Sequence, residues 1–339
     1  MKSPWIRIAA WCVLLLTTAC LREEDPLPAG GETPVLIAQG EDYGQAVYFK
    51  LSTGEQVSVP VDSWDLAFPT DVDSMAVRLN TGKLLLAWNS GQTGRPERAQ
   101  WPAPTSFDWQ TDAPHGWADS TALWGWHAPG SQQPTGVTFV LDRGPLFHDS
   151  DTARYRYLQM LGRDGESFRF RWATTPMDDW REERVALDRT FTHVYFTFDG
   201  GGRVVPVAPP RQQWDLVFTQ YIQPFDELPP PGRWYLVRGT LSNLSQGVAV
   251  SAVTRDFDRY PRYENLSRAN LDSLPPFRLH TDGIGYDWKS FDLRGTYYIR
   301  PDHYYVVRDP DGTYYRLRFV DFYDERGRRG FPQFVYDAL

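Results

Sequence analysis

His127 and His280 are the imidazoles whose placement suggests a shared task. His127 sits in Trp126-His127-Ala128-Pro129, sixteen residues before Arg143-Gly144; His280 sits in Leu279-His280-Thr281-Asp282-Gly283, fourteen before Arg294-Gly295. Imidazole is a borderline donor suited to a transition metal, and a loop histidine with a local hydrogen bond is the competing reading of each. His193 and His303 stand next to strand starts and read as exposed edge residues, while His115 and His148 complete the set of six. Met75 and Met160 fall on strand patterns and read as core gap-fillers, and Met177 follows Pro176 in a link. The sequence contains no Gly-x-Ser-x-Gly elbow, His-Glu-x-x-His or phosphate-binding glycine loop. Glu182-Glu183 lies in a charged linker and reads as a solvated face rather than a glycosidase pair. These absences point to a binding protein, not an enzyme.

The 339 residues carry 35 basic and 43 acidic side chains, a formal charge of −8 that argues against nucleic acid as a partner. Lys2 and Arg7 precede an apolar run from Ile8 to Leu16 that is too short to span a bilayer, and Thr17-Thr18-Ala19-Cys20 follows. This reads as a lipoprotein signal over residues 1–20, with Cys20 as the acylated first residue of the mature chain. A cleaved signal with an incidental Cys is the other reading. Cleavage removes Lys2 and Arg7, which takes the charge to −10, and it removes Cys12. Only Cys20 then remains, so no intramolecular disulfide, Cys nucleophile or Cys-based metal site is expected. Residues 21–34, with three prolines and Gly30-Gly31, read as a flexible tether, so the membrane is met through a lipid anchor alone.

Aromatic residues make up 15% of the chain, with 27 Gly and 27 Pro, which points to an all-β fold with little helix. One pattern occurs twice. Tyr48-Phe49 and Trp64-Asp65-Leu66-Ala67-Phe68 recur as Tyr195-Phe196 and Trp214-Asp215-Leu216-Val217-Phe218, and the run from Asp164 to Trp172 aligns without gaps on Asp311 to Phe319. Phe168, Phe170 and Trp172 alternate with Arg169 and Arg171, as Tyr315, Leu317 and Phe319 do with Arg316 and Arg318. This period of two marks half-buried antiparallel strands. Asp164-Gly165 and Asp311-Gly312 are hairpin turns, with Tyr304-Tyr305-Val306-Val307 as the second partner strand. Trp64-Asp65 and Trp214-Asp215 read as core, with the Asp capping a turn. Asp178 to Asp188 is the one stretch that could hold a short helix. The expected organisation is two tandem antiparallel β-rich domains, 35–178 and 179–339, with long aromatic-rich loops.

The signal, the Tyr-Phe strand, Trp-Asp-Leu-x-Phe and the terminal hairpin from Tyr304 to Phe319 together resemble the HmuY family of bacterial haem-binding outer-membrane lipoproteins. The second copy, with Gly285-Tyr286-Asp287-Trp288-Lys289 and Gly330-Phe331-Pro332-Gln333-Phe334, matches more closely; the first is degenerate. The resemblance implies two HmuY-like domains whose finger-like hairpins hold haem or a related porphyrin for iron acquisition. It also implies anchoring at the outer membrane or cell surface, and delivery to a TonB-dependent outer-membrane receptor. The family's ligands are paired His or Met; here Asp287 to Asp292 follows Gly285-Tyr286 without a His. His127 and His280 are the haem-ligand candidates, Trp124, Trp126, Tyr286 and Trp288 the pocket aromatics. Two other readings stand beside this one. Aromatic loops on a β scaffold also suit glycan recognition, because sugar C–H faces stack on Trp and Tyr, and the first copy could be a ligand-free spacer or docking surface.

Overall fold

In the computed structural model the described residues are 34–94, 108–144, 150–175, 178–229, 233–292 and 294–339. Cys20, the signal and nearly all of the tether lie outside them, as do His148 and Met177. The fold is all-β. Two five-stranded antiparallel sheets form its flanks. One runs in the order Arg181–Ala186, Ser167–Ala173, Tyr155–Arg163, Val137–Asp142, Leu86–Thr93; the other in the order Val35–Leu36, Arg329–Ala338, Tyr314–Tyr323, Tyr304–Arg308, Ala249–Val253. The Asp164-Gly165 and Asp311-Gly312 turns join strands as expected, with Arg163 paired to Phe168 and Arg308 to Tyr314. The alternation holds too: Phe168, Phe170, Trp172, Tyr315, Leu317 and Phe319 are buried, and Arg169 faces solvent.

Between the flanks lie two four-stranded sheets in which strands are exchanged between the repeats. Gln45–Phe49 pairs with Leu216–Pro224, and His193–Thr197 pairs with Leu66–Pro69. Each Tyr-Phe strand therefore joins the Trp-Asp-Leu strand of the other repeat. Period-two geometry then sends adjacent side chains to different cores. Phe49 enters the second core, 5.3 Å from Phe334, and Phe196 enters the first, 5.1 Å from Phe170. Tyr48 and Tyr195 turn into a shared middle cluster, edge-on to Trp214 and Trp64 at 5.1 and 5.0 Å. Residues Thr33–Leu339 form one unit, and the expected division at 178/179 does not separate the sheets. Arg181–Ala186 is a strand paired with Ser167–Ala173, although 178–188 is the one stretch that could have held a short helix; cross-strand pairs such as Arg169–Glu182 absorb its charges. A four-residue helix stands instead at Asp151–Arg154.

The recurring aspartates do more than cap turns. Asp65 is fully buried, with Lys83 Nζ 2.7 Å from Oδ1 and Arg143 Nε and Nη2 donating at 2.9 and 2.8 Å. From the exchanged strand, Thr197 Oγ1 and the Phe198 amide donate to its Oδ2 at 3.1 and 2.8 Å. Asp215 occupies the equivalent place, accepting from Lys50 Nζ and the Leu51 amide at 2.9 Å each. Asn80 and Asn243 complete the motif by donating to the carbonyls of Trp64 and Trp214 at 2.9 and 3.0 Å. Burial pushes the Asp65 carboxyl up, but Lys83 and Arg143 outweigh it and hold its pKa at about 2. Burial wins at Asp215, whose pKa is raised against the pull of Lys50.

Replacing Asp65 by Asn would leave buried Lys83 without a carboxylate and Arg143 with only Asp199, and the expected loss of stability is about 3–5 kcal/mol in urea unfolding. Asp215→Asn should cost less, since it strands one cation at the rim of the core. The Asp65 contribution is complete above the unfolded value of 3.8 and is lost as pH falls through about 2. Asp65→Asn should therefore flatten the acid limb of the stability profile in that window; an unchanged limb would contradict the assignment.

Candidate functional site

Large apolar side chains exposed to water cluster on the second repeat. Tyr235 is 46% exposed, Leu228 45% and Phe291 61%. All three line a cavity of about 490 Å3 together with Phe225, Tyr286 and Tyr297, a size within the roughly 300–1,000 Å3 range of small-molecule sites. Its charged groups are Arg238, Asp287, Lys289 and Arg300, with Ser290 beside them.

Three elements build this cavity. The first is the long strand Trp234–Ser242, paired along its whole length with Leu216–Pro224. The second is the segment around Tyr286, tied to that strand by reciprocal Thr240–Gly285 backbone hydrogen bonds of 2.9 and 3.0 Å. This approach needs glycine on both sides: Gly285 has φ +71°, and a Cβ on Gly239 would lie 2.5 Å from the Gly285 carbonyl oxygen. The third is the hairpin of Lys289–Phe291 and Tyr297–Ile299, whose turn is closed by Asp292 accepting from the Arg294 and Thr296 amides. Tyr297 packs on Phe322 at 4.7 Å, so the hairpin rests on the second core.

Lys289 lies at the base of the cavity. Its ammonium is buried 3.9 Å from the Trp288 ring centroid and donates to the carbonyls of Arg238 and Tyr286. Burial, with Arg238 close by, drives the amine pKa well below its ordinary value, and Asp287 only partly opposes this. Burial and then Asp287 raise the Tyr286 phenol, against Arg300. The site thus combines flat aromatic walls, two guanidinium groups, an easily neutralised amine and tyrosine hydroxyls. It can hold a planar apolar molecule and meet carboxylates at the edge.

Of the residues singled out from sequence, only Tyr286 lines this cavity. Trp288, two positions on, faces the opposite way and stacks on Phe319 at 3.7 Å in the core. Trp126 is likewise core, 1% exposed, with Nε1 donating to the Met75 carbonyl at 2.9 Å. Trp124 is exposed and edge-on to His127, whose Nδ1 lies 2.9 Å from the Ser131 carbonyl oxygen. His280 lies instead beside His115 and Trp117, its ring centroid 6.0 and 5.2 Å from theirs. Neither His127 nor His280 lines the aromatic cavity, and a local hydrogen bond accounts for His127. His303 is buried rather than exposed, its ring nitrogens 3.2 and 3.1 Å from the Asp287 and Thr254 carbonyl oxygens. His193 is half-buried in a separate cleft. Met75 and Met160 belong to the first core, as expected. Among the described residues, no group of three or more His, Cys, Asp or Glu could hold a metal ion, and no helix is long and apolar enough to cross a membrane.

Sequence reasoning missed Tyr235, Phe291, Tyr297, Arg238 and Arg300. Their one signal was aromatic doublets, Trp234-Tyr235 and Tyr297-Tyr298, beside turn residues.

The HmuY protein family profile matches residues 42–336. None of the curated proteins matches the sequence. Among solved structures, an HmuY-like heme binding protein from Bacteroides vulgatus aligns over 90% of this chain and 90% of its own, at 13% identity and a TM-score of 0.23. A chain named as a lipoprotein from Bacteroides fragilis covers 46% of this chain and 76% of its own, at 14% identity and a TM-score of 0.21. Apo PinO from Porphyromonas gingivitis covers 47% and 85%, at 15% identity and a TM-score of 0.19.

The Lys289 amine is checked by comparison with Lys289→Met. Its folded pKa lies below the unfolded value of 10.5, so the unfolded chain binds the extra proton and stability rises with pH towards that value. The stability of the wild type relative to Lys289→Met, measured by denaturant titration, should increase from pH 7 to pH 10. A constant difference would show an amine that keeps its ordinary pKa.

Proposed function

The chain belongs to the HmuY family, and from that membership we propose that it captures haem or a related porphyrin for uptake, in the cavity under the 289–299 hairpin. The observation that carries this reading is the cavity's lining: Phe225, Tyr235, Tyr286, Phe291 and Tyr297 offer ring faces to a flat macrocycle. Arg238 and Arg300 are the partners that porphyrin carboxylates need. The donor type this lining offers to iron is a phenol oxygen, of Tyr235, Tyr286 or Tyr297. Of these, the Tyr286 phenol is held in its protonated form by burial and Asp287, so it would have to give up a proton to serve as a ligand.

The role is binding rather than catalysis. Acylated Cys20 would hold the protein at the outer membrane or cell surface, and a TonB-dependent receptor would take the cargo. The cavity's predominantly aromatic lining favours a porphyrin over a sugar, whose hydroxyls need more polar partners than this wall supplies.

The test is a titration of the purified protein with haem at micromolar concentration, followed at the Soret band. A shifted, saturable spectrum of high-spin character is expected. Tyr286→Ala and Arg300→Ala should each weaken binding by about tenfold, roughly one desolvated aromatic or charged contact. His127→Ala and His280→Ala should bind as the wild type does. No spectral change at micromolar haem would overturn the proposal, and loss of binding in the histidine variants alone would move the site elsewhere.

A further inference from the structure

A second cavity, of about 560 Å3, has a different chemistry. It opens where Leu66–Pro69 and Arg78–Leu79 meet the turn around Gly116, His193 and the 3-10 turn Leu244–Gln246. Its polar lining comes from Asp71, Ser74, Arg78, Asp119, His193 and Ser245. Its one large exposed apolar surface is Trp117, 49% exposed.

That indole is exposed but held. The Trp117 amide donates to His115 Nδ1 at 3.2 Å, and the ring packs 4.6 Å from the His115 ring and edge-on to His280. The His280 turn is tied to the same place by the Thr281 amide, which donates to the His115 carbonyl at 2.9 Å, and Arg78 donates to the Gly116 carbonyl. An exposed Trp fixed in this way is a preorganised platform: a ligand that stacks on it need not first order the ring.

We propose that this cleft is a carbohydrate-binding site for neutral hexose oligosaccharides, with Trp117 as the stacking platform. Sugar C–H faces pack on an indole while hydroxyls reach for neighbouring donors and acceptors, and the cleft supplies both types at its walls. Carboxylates of Asp71 and Asp119 accept, Arg78 donates, and the serine hydroxyls do either. Burial, then Arg78 and Arg211, lowers the His193 pKa to about 3, so near neutral pH its imidazole is uncharged; with Nδ1 3.2 Å from Thr192 Oγ1, Nε2 is the nitrogen left for a ligand. Signs balance as well: Asp71 faces Arg211 at 3.2 Å, and the charge of Arg78 is opposed by the buried Asp112 behind it. Such a wall gives no net attraction to uronic acids or phosphates. This assigns His280 a task that the sequence did not suggest, since it props the platform.

The experiment is calorimetric titration of the full chain with maltohexaose, mannohexaose and laminarihexaose, with an oligogalacturonate as the charged comparison. At least one neutral oligomer should bind and perturb tryptophan fluorescence, with the oligogalacturonate weaker. Trp117→Ala should weaken the interaction by about tenfold or more, within what loss of an aromatic stacking surface removes. Trp117 lies in no core cluster, so the variant should fold, which circular dichroism checks. Tyr286→Ala should leave sugar binding unchanged, so this outcome is independent of whether haem binds. Absence of binding by all three neutral oligomers at about 10 mM, or unchanged binding by Trp117→Ala, would overturn the proposal.

Discussion

Asp65 is the point at which the two repeats are joined. Its carboxylate sits at the start of a first-repeat strand and accepts from Lys83 and Arg143 of the same repeat. It also accepts from Thr197 and the Phe198 amide at the end of a second-repeat strand. A buried ion pair of this kind contributes little net stability over an apolar replacement, because desolvation offsets the Coulomb gain. What it supplies is register. A shift of one residue would turn Phe196 out of the core and leave the carboxylate facing the wrong amide. Asp215 does the same for the strand that ends at Phe49, through Leu51 and Lys50. With both strands locked, Tyr48 and Tyr195 are forced together in the middle, and the four inner strands become one joint rather than two separate edges.

This joint explains which parts of the fold were legible in the sequence. The terminal hairpins were, because alternation and an Asp-Gly turn are local signals: Phe168 to Trp172 and Tyr315 to Phe319 needed no distant partner to be recognised. The repeat was legible as a pattern, but the pairing it encodes was not. Tyr48-Phe49 reads the same whether it pairs within its own repeat or across to Leu216, since periodicity reports which face is buried and not which strand lies alongside. Burial of the aspartates escaped for a related reason. Lys83 and Arg143 are 18 and 78 residues from Asp65, and nothing local ties them to it.

Loop aromatics were the least legible. Trp126 and Trp288 looked available to a ligand because they stand in aromatic-rich loops near His127 and His280, yet both fill cores. Tyr286 and Trp288 would share a face in a strand, but the chain turns at Asp287-Trp288, so one lines the cavity and the other fills the core; where that turn falls is set by the Thr240–Gly285 contact, which is non-local. The histidines follow the same logic. His303 looked like a strand-edge residue, but the Thr254 and Asp287 carbonyls close over it from two separate segments.

The two cavities differ because they arise from different levels of the architecture. The aromatic one belongs to the second repeat alone: a hairpin leans on the second core and leaves the outer faces of Tyr235 and Phe291 uncovered. The polar one exists only because strands cross between repeats. His193 stands at the start of an exchanged strand, Arg78 lies in the sheet that receives it, and Leu244 comes from the far side of the joint. Groups brought together from three separate segments meet at strand ends, where backbone polarity and charged side chains concentrate, so the cleft between repeats is polar while the cavity within one repeat is apolar. A change of ligand chemistry at one need not disturb the other, since the Asp65 and Asp215 locks that hold the joint touch neither lining.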